Sequence, residues 1–339
     1  MASSSPPSGS PPSGSPPSNT PILSIIIPVW NRAETIRACL ASIVAPPSDA
    51  MAWELVVVDD GSTDGSPQAI RDAFRDLGLE ARARLIEQAN AGPGVARNTA
   101  IAAARGHFIA CLDSDDLWLD WTLPTILDLL RAEDAPDVAF LQQDAFADGA
   151  PLPPVEQAPR KVVRYRNYLD AFLAEGTGTM FGGCNLVARR ALLQEIGGFP
   201  AELRCYEDID LFLRLPLELK MDVALQPVLF RYRNTPGSLT SSFDAARTGL
   251  SVLRQSEADG RYPGGPGGVR ARTIFLARVA QWTVMNGWLN KRYAASYGLF
   301  LRSIPEFALN RCRRFLIRYH QHIVRHIIKR SIGRADTTD

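Results

Sequence analysis

A chain of 339 residues, 46% of them hydrophobic, can bury the core of one large domain with an extension, or of two modest ones, which excludes a disordered or fibrous class. Its net charge of +1 excludes a global pull towards nucleic acid, so any charged partner must be met by a local cluster. Five scattered cysteines without metal-ligand spacing, no basic-then-apolar leader and no run near the ~18 apolar residues of a membrane span predict a cytoplasmic protein with reduced thiols.

Residues 2–20 repeat Ser-Pro-Pro-Ser-Gly, have almost nothing to bury, and are expected to form a disordered leader over 1–20. Order is predicted to begin at Ile22–Ile27, a β-branched run stopped by Pro28, with Pro28-Val-Trp-Asn-Arg32 as the loop that follows. Glu34–Val44 has helical apolar spacing. Trp53–Val58 reads as a second buried strand ending at Asp59-Asp-Gly-Ser62, Gln68–Leu77 as a helix, and Ala83–Glu87 as a weak strand. Gly92 and Gly94 introduce a helix over Val95–Arg105 that Gly106 ends. Further on, a strand from Phe108, a helix over Leu123–Ala132, a strand over Val138–Gln142 and a proline-rich surface loop at 149–160 follow. Tyr168–Glu175 is a helix, Cys184–Ala188 a strand, Arg190–Ile196 a helix, Tyr206–Asp210 the start of another, and Asp222–Phe230 the last strand. Repeating β-α units predict an α/β fold: a mostly parallel, doubly wound sheet with its ligand site along one edge. No Gly-x-Gly-x-x-Gly follows the first strand and no Gly-x-x-x-x-Gly-Lys-Ser/Thr is present, which disfavours a dinucleotide fold and a P-loop. The catalytic domain is expected to span 21–245, with a helical extension over 246–339 beyond it and a Gly/Pro run at 260–268 between the two.

The most informative stretch is Phe108-Ile-Ala-Cys-Leu-Asp-Ser-Asp-Asp-Leu-Trp118. It opens as a buried strand and turns acidic, with Asp113, Asp115 and Asp116 inside four positions. Three carboxylates so close repel one another and stay ionised together only with a cation, hydrogen-bond donors or free solvation. Mg²⁺ or Mn²⁺ meets that need with one or two carboxylates plus water and phosphate oxygens. The alternative is a solvated acidic turn in which Asp116 or Asp120 caps the next helix.

Pro28-Val-Trp-Asn31, Asp59-Asp-Gly-Ser62, Gly92-Pro-Gly-Val-Ala-Arg-Asn98, Asp113-Ser-Asp-Asp116 and Glu207-Asp208, in this order over residues 22–240, closely resemble the family 2 glycosyltransferases of GT-A fold. The resemblance implies sugar transfer from a nucleotide-sugar donor, of UDP or dTDP type, with inversion and a divalent metal. The acceptor it implies is a glycan or lipid-linked hydroxyl in cell-surface polysaccharide or glycan assembly. By motif position, Pro28, Trp30, Asn31, Asp60, Arg97, Asp113 and Asp115 would bind the donor. Asp60 would accept the base imide N–H and Trp30 would lie against the base. Arg97 would face the nucleotide's negative charge. Asp115 and Asp116 would hold Mn²⁺ or Mg²⁺. Asp208, or Glu207 in second place, would be the base that takes the acceptor's proton. Each has a structural alternative: Asp59 and Asp60 capping a helix, Trp30 in the core, Arg97 on the surface, and Glu207 and Asp208 favouring a helix N-terminus.

The sequence departs from the family where relatives read Tyr-Arg-x-His: here Thr235 takes the His position, and Arg231 and Arg233 are left as phosphate contacts. Arg311–Arg330 carries seven basic residues and no acidic one, with Leu316, Tyr319, Ile323 and Ile327 in one stripe. Such a helix reads either as a contact to an anionic membrane, placing the protein on the inner face of the cell membrane, or as a terminal helix packed on the domain. A nucleotide-sugar-binding protein without catalysis and a nucleotidyltransferase are the competing classes; the Glu207-Asp208 pair argues against the first, and the lack of a glycine-rich basic loop at Pro28–Asn31 against the second.

Overall fold

The computed structural model describes residues 20–45, 47–49, 51–175, 182–234 and 242–309. The leader, Thr235 and the basic run at 311–330 lie outside the described residues. In chain order the elements are β1 (Leu23–Val29), α1 (Ile36–Ala41), β2 (Trp53–Asp59), α2 (Ser66–Asp76), β3 (Ala83–Glu87), α3 (Pro93–Ala103), β4 (Phe108–Cys111), β5 (Leu117–Trp118), α4 (Thr122–Arg131), β6 (Val138–Phe140), β7 (Gln143–Ala147) and β8 (Lys161–Tyr165). Then come α5 (Tyr168–Glu175), β9 (Leu186–Arg189), α6 (Arg190–Glu195), α7 (Glu207–Arg214), β10 (Met221–Gln226), β11 (Phe230–Asn234), α8 (Phe243–Ala258), α9 (Gly265–Leu289), α10 (Tyr293–Arg302) and α11 (Ile304–Leu309).

An 8-stranded sheet in the order β3-β2-β1-β4-β9-β6-β10-β8 forms the centre. The first four strands are parallel; β9 runs against both β4 and β6, and β8 against β10. β1 and β2 are buried along their whole length, as their β-branched composition requires of a strand covered on both faces. Alternation then divides the core: Ile25, Ile27, Leu55 and Val57 belong to the core shared with α1, α2 and α4, while Ile26, Val56 and Val58 belong to the core on the opposite face, which continues through α3, α5, α7 and α9.

Two local expectations are corrected. Pro28 does not stop the first strand but lies inside it, opposite Val58. The Ile26 carbonyl accepts from Leu112 N, so Pro28, two residues on, turns its missing N–H towards β4, where the ladder has already ended. The single last strand over 222–230 is two: β10 ends at Gln226, before Pro227, and β11 joins a second, 3-stranded sheet, β5-β11-β7. The proline-rich stretch at 149–160 is a loop as expected, and β8, which the sequence reading did not include, follows it at Lys161 and pairs with β10.

The Gly/Pro run at 260–268 connects α8 to α9, and a boundary after residue 245 falls in the first turn of α8. Phe275, Val279 and Val284 of α9 share one core with Phe140, Tyr168 and Phe212, through edge-on ring contacts such as Tyr168–Phe275 at 5.4 Å. The helical extension is thus seated on the far half of the sheet.

Candidate active site

The carboxyl ends of β2, β1 and β4 open into a cleft of about 740 Å³, within the range of small-molecule sites. Pro28, Trp30 and Asp60 line one end, Arg97, Asp113 and Asp115 the middle, and Tyr206, Glu207 and Asp208 the opposite wall, which α9 completes with Trp282 and Asn286.

At the first end Asp60 is buried, and its carboxylate accepts from Gln88 Nε2 (2.8 Å), Ala91 N (2.9 Å) and Gly92 N (2.8 Å). Two donors fall on Oδ1 and one on Oδ2, so Oδ2 keeps a lone pair for a further donor. Asp60 therefore fixes the loop that leads into α3, while Asp59 Oδ2 takes the cap of its own turn from Ser62 N at 3.0 Å. Trp30 is not a core residue: 47% of it is exposed, at the cleft. Asn31, at φ +52°, is absent from the lining; its Oδ1 accepts from Thr63 N and its N–H donates to Ser62 Oγ, both at 2.8 Å, which holds the 61–63 turn beside Trp30.

Arg97 is buried rather than on the surface, and bridges the cleft: Nη1 donates to Glu207 Oε1 and Nη2 to Asp113 Oδ1, each at 2.7 Å. Its charge is spent on two carboxylates of the site and does not stand free for the nucleotide. The acidic loop is divided in the same way. Asp115 Oδ2 accepts from Arg32 Nε at 3.2 Å. Burial, then the Asp113 charge, hold Asp115 above the usual carboxylate range, against Arg32. Asp116 is fully buried; Oδ1 accepts from Arg233 N at 2.8 Å, while Oδ2 meets no well-directed donor, with the weakly donating Cys184 thiol close by. Burial and then Asp113 push Asp116 well above its ordinary value.

Across the cleft, α7 begins with three acidic residues in its first turn. Asp208 Oδ2 accepts from Gly183 N and Oδ1 from Ile209 N, both at 2.8 Å. Burial raises its pKa, opposed by Arg97 and by these backbone donors. Glu207 is pushed up to about 7 by burial and by the Asp208 charge, against Arg97. Both carboxyls hold protons more tightly than free ones, which suits a base working near neutral pH.

A family model described as glycosyl transferase family 2 matches residues 24–197, over half of the chain. The chain belongs to that family. Among curated members, the uncharacterized glycosyltransferase YibD of Escherichia coli is 35% identical over 122 residues, 36% of this chain and 34% of YibD, so the chain matches about a third of that relative's length. Among solved structures, Staphylococcus aureus TarS 1–349 in complex with UDP-GlcNAc superposes with a TM-score of 0.59 at 21% identity, over 84% of this chain and 80% of that one. The mannosyltransferase PcManGT of Pyrobaculum calidifontis, in complex with GDP-Man and Mn²⁺, gives 0.53 at 19% identity, over 92% and 87%. The fold of this family 2 glycosyltransferase is accordingly GT-A-like, with its sheet flanked by helices and a helical C-terminal extension.

Of the donor-site residues expected from sequence, Pro28, Trp30, Asp60, Arg97, Asp113 and Asp115 meet in one cleft with Glu207 and Asp208, while Asn31 supports from behind. The metal pair is drawn differently. Asp113, Asp116 and Cys184 bring ligand atoms within 4.8 Å of one another, whereas Asp115 is turned onto Arg32. The Asp113 and Asp116 oxygens, one of them an orphan, fit a hard divalent ion; burial and then Asp116 push the Cys184 thiol well up, and a protonated thiol suits such an ion poorly. Arg231 is not in the lining: it donates to the Pro153 carbonyl at 2.5 Å. Arg233 does line the cleft, but its guanidinium is committed to the Asp115 carbonyl (2.7 Å) and to Asp148 (2.8 Å). Sequence reasoning missed Arg32 as the Asp115 partner, Tyr206, and the α9 wall; Arg32 directly follows the Pro28-Val-Trp-Asn31 motif and Tyr206 directly precedes Glu207-Asp208, whereas nothing marked the α9 wall.

Proposed function

We propose that the chain transfers a sugar from a nucleotide-sugar donor, of UDP or dTDP type, to a hydroxyl of a glycan or lipid-linked acceptor, with inversion at the anomeric carbon. The observation that carries this reading is the single cleft in which Asp208, with its raised proton affinity, faces the Asp113-Ser-Asp-Asp116 loop, the two walls being tied together by Arg97. The TarS complex with UDP-GlcNAc and the PcManGT complex with GDP-Man and Mn²⁺ support a nucleotide sugar in such a cleft.

In this reading the base lies near Trp30 and the spare Oδ2 lone pair of Asp60. Asp208 takes the proton of the acceptor hydroxyl as that oxygen bonds to the anomeric carbon. The bond from that carbon to the diphosphate oxygen breaks, and its electron pair leaves with the nucleotide. A divalent ion on Asp113 and Asp116, or on Asp115 if Arg32 lets go, would neutralise charge on the leaving diphosphate. Arg97 keeps Glu207 paired so that Asp208 is the member of the pair left to accept a proton. The basic run at 311–330 would hold the protein to an anionic inner membrane face where lipid-linked acceptors are presented; liposomes containing phosphatidylglycerol that fail to bind the full chain at low salt would remove that part.

Calorimetry with UDP, dTDP and GDP and their sugars, in Mn²⁺ and in EDTA, tests the core of the reading. UDP- or dTDP-type ligands should bind in Mn²⁺ and lose most of their affinity in EDTA. Equal affinity in EDTA removes the metal. Failure of every nucleotide to bind removes the donor reading, and binding without turnover of any donor, to acceptor or water, leaves a binding protein.

A further inference from the structure

The wall beyond Asp208 is built from parts that lie far apart in sequence. Tyr206, the residue before Glu207-Asp208, sits in the left-handed region (φ +69°, ψ 20°), which costs a non-glycine residue energy and persists only where its surroundings enforce it. Two helices of the C-terminal extension enforce it here. On α9, Thr283 Oγ–H donates to Val279 O at 2.9 Å, so its one proton is used and Tyr206 Oη–H must be the donor in the 2.9 Å bond between the two hydroxyls. On α8, Gly249 faces the Cys205 carbonyl so closely that a Cβ would come within 2.5 Å of it. The turn that presents Asp208 is therefore clamped by α8 and α9, and the clamp brings Trp282, the neighbour of Thr283, into the cleft with Asn286 one helical turn later on the same face.

Position and chemistry then separate this wall from the nucleotide end. Trp30, Asp60 and Asp113 follow β1, β2 and β4, one half of the sheet, whereas α9 packs through Phe275 on Tyr168 and Phe172 of α5, and Tyr168 in turn meets Phe140 of β6, in the other half. Arg32, which pairs with Asp115, and Arg204, which donates to Asn90, serve the nucleotide side, and Arg97 spans the two walls between Asp113 and Glu207. The two residues that α9 adds to the lining are an indole and an amide, both uncharged. An indole face takes the C–H face of a sugar ring, and an amide is a polar group of the kind that meets sugar hydroxyls; Asn286 Oδ1 also accepts from Asn290 Nδ2 at 2.9 Å.

We propose that Trp282, Asn286 and Tyr206 form the acceptor subsite, and that it takes a pyranose ring stacked on Trp282 with a hydroxyl towards Asp208. This rests on the reading of the cleft as a glycosyltransferase site. It makes the C-terminal extension a part of the active site that selects a saccharide acceptor rather than a lipid or peptide hydroxyl.

Saturation-transfer NMR on the full chain with UDP and Mn²⁺ tests it, using methyl glucopyranoside, galactopyranoside, mannopyranoside and N-acetylglucosaminide as probes. At least one glycoside should receive saturation, strongest at the C–H protons of one face. Trp282→Ala should lose about tenfold of that glycoside's affinity, the order expected for removing one stacked ring, while Trp282→Phe retains most of it. UDP affinity by calorimetry should stay within about twofold in both variants, and circular dichroism checks that each is folded. If no glycoside gives a Trp282-dependent signal, or if Trp282→Ala weakens UDP and spares the glycosides, the acceptor assignment is overturned. If UDP fails to bind but a glycoside binds through Trp282, the subsite stands and the donor reading falls.

Discussion

The two halves of the sheet solve different problems. From β3 to β4 the strands are parallel, and each site residue lies within a few positions of a strand's end: Pro28 near the end of β1 and Trp30 just after it, Asp60 after β2, Asp113 after β4. In that half the loop after β2 is tied down by the three donors on the Asp60 carboxylate. From β9 to β8 the directions are mixed, and the site is assembled from Gly183, Tyr206–Asp208 and α9. Glu207 and Asp208, both raised in proton affinity, and Tyr206 at positive φ belong to this half, while the parallel half has its own raised carboxyls in Asp115 and Asp116 and its own positive φ at Asn31. Under the proposed function, the regular half would position the donor and the irregular half would hold the carboxyls that take the acceptor's proton.

Arg97 joins the halves, and its removal should have the largest effect on the fold. Arg97→Ala leaves Glu207 buried without its partner and frees Asp113, which should cost about 3–5 kcal/mol in urea unfolding, as for other broken buried pairs. Wild-type stability in this variant would mean that the halves are held together by packing alone. Gly249→Ala acts on one half only. The added Cβ must push the Cys205 carbonyl, and overpacking of this kind costs about 1–3 kcal/mol. Turnover should fall because the turn carrying Asp208 shifts, while UDP affinity is kept; equal loss of both would contradict the separation.

The smallest effect is one of pH, and it has two signs. Glu207 in the folded chain titrates at about 7 instead of 4.5, so the folded state binds the extra proton between these values. Its stabilising contribution is complete below the unfolded value and is lost as pH rises through the folded one, so stability measured by urea unfolding should fall across this window. Glu207→Gln should flatten that slope. Turnover should move the opposite way and rise with pH as Asp208 ionises, because the base works only when deprotonated.

The sequence reads well where structure and chemistry are adjacent along the chain. The β-branched runs give β1 and β2, Ala83–Glu87 gives β3 to the residue, and the acidic loop after β4 shows as three carboxylates in four positions. It reads poorly where partners are distant. Glu207 meets Arg97 across 110 positions, so Arg97 looked like a free cation for a phosphate. Arg32 takes Asp115 across 83 positions, so the metal pair shifts towards Asp113 and Asp116. Pro28 looked like a strand end because the side on which its neighbouring ladder stops is set by tertiary pairing. Trp282 carries no mark of its own in the sequence, since nothing near it signals the 77-residue reach from Tyr206 to Thr283.

The most direct measurement of the central claim is turnover and donor affinity side by side for Asp208→Asn, with Glu207→Gln as the control. Asparagine keeps the shape and an oxygen for the Gly183 N–H but removes the proton acceptor. Transfer from the donor identified by calorimetry should drop by about 10²–10⁴-fold, the range of general-base catalysis, with donor affinity nearly unchanged. Near-full transfer by Asp208→Asn would contradict the account, and loss of transfer in Glu207→Gln alone would move the base to Glu207.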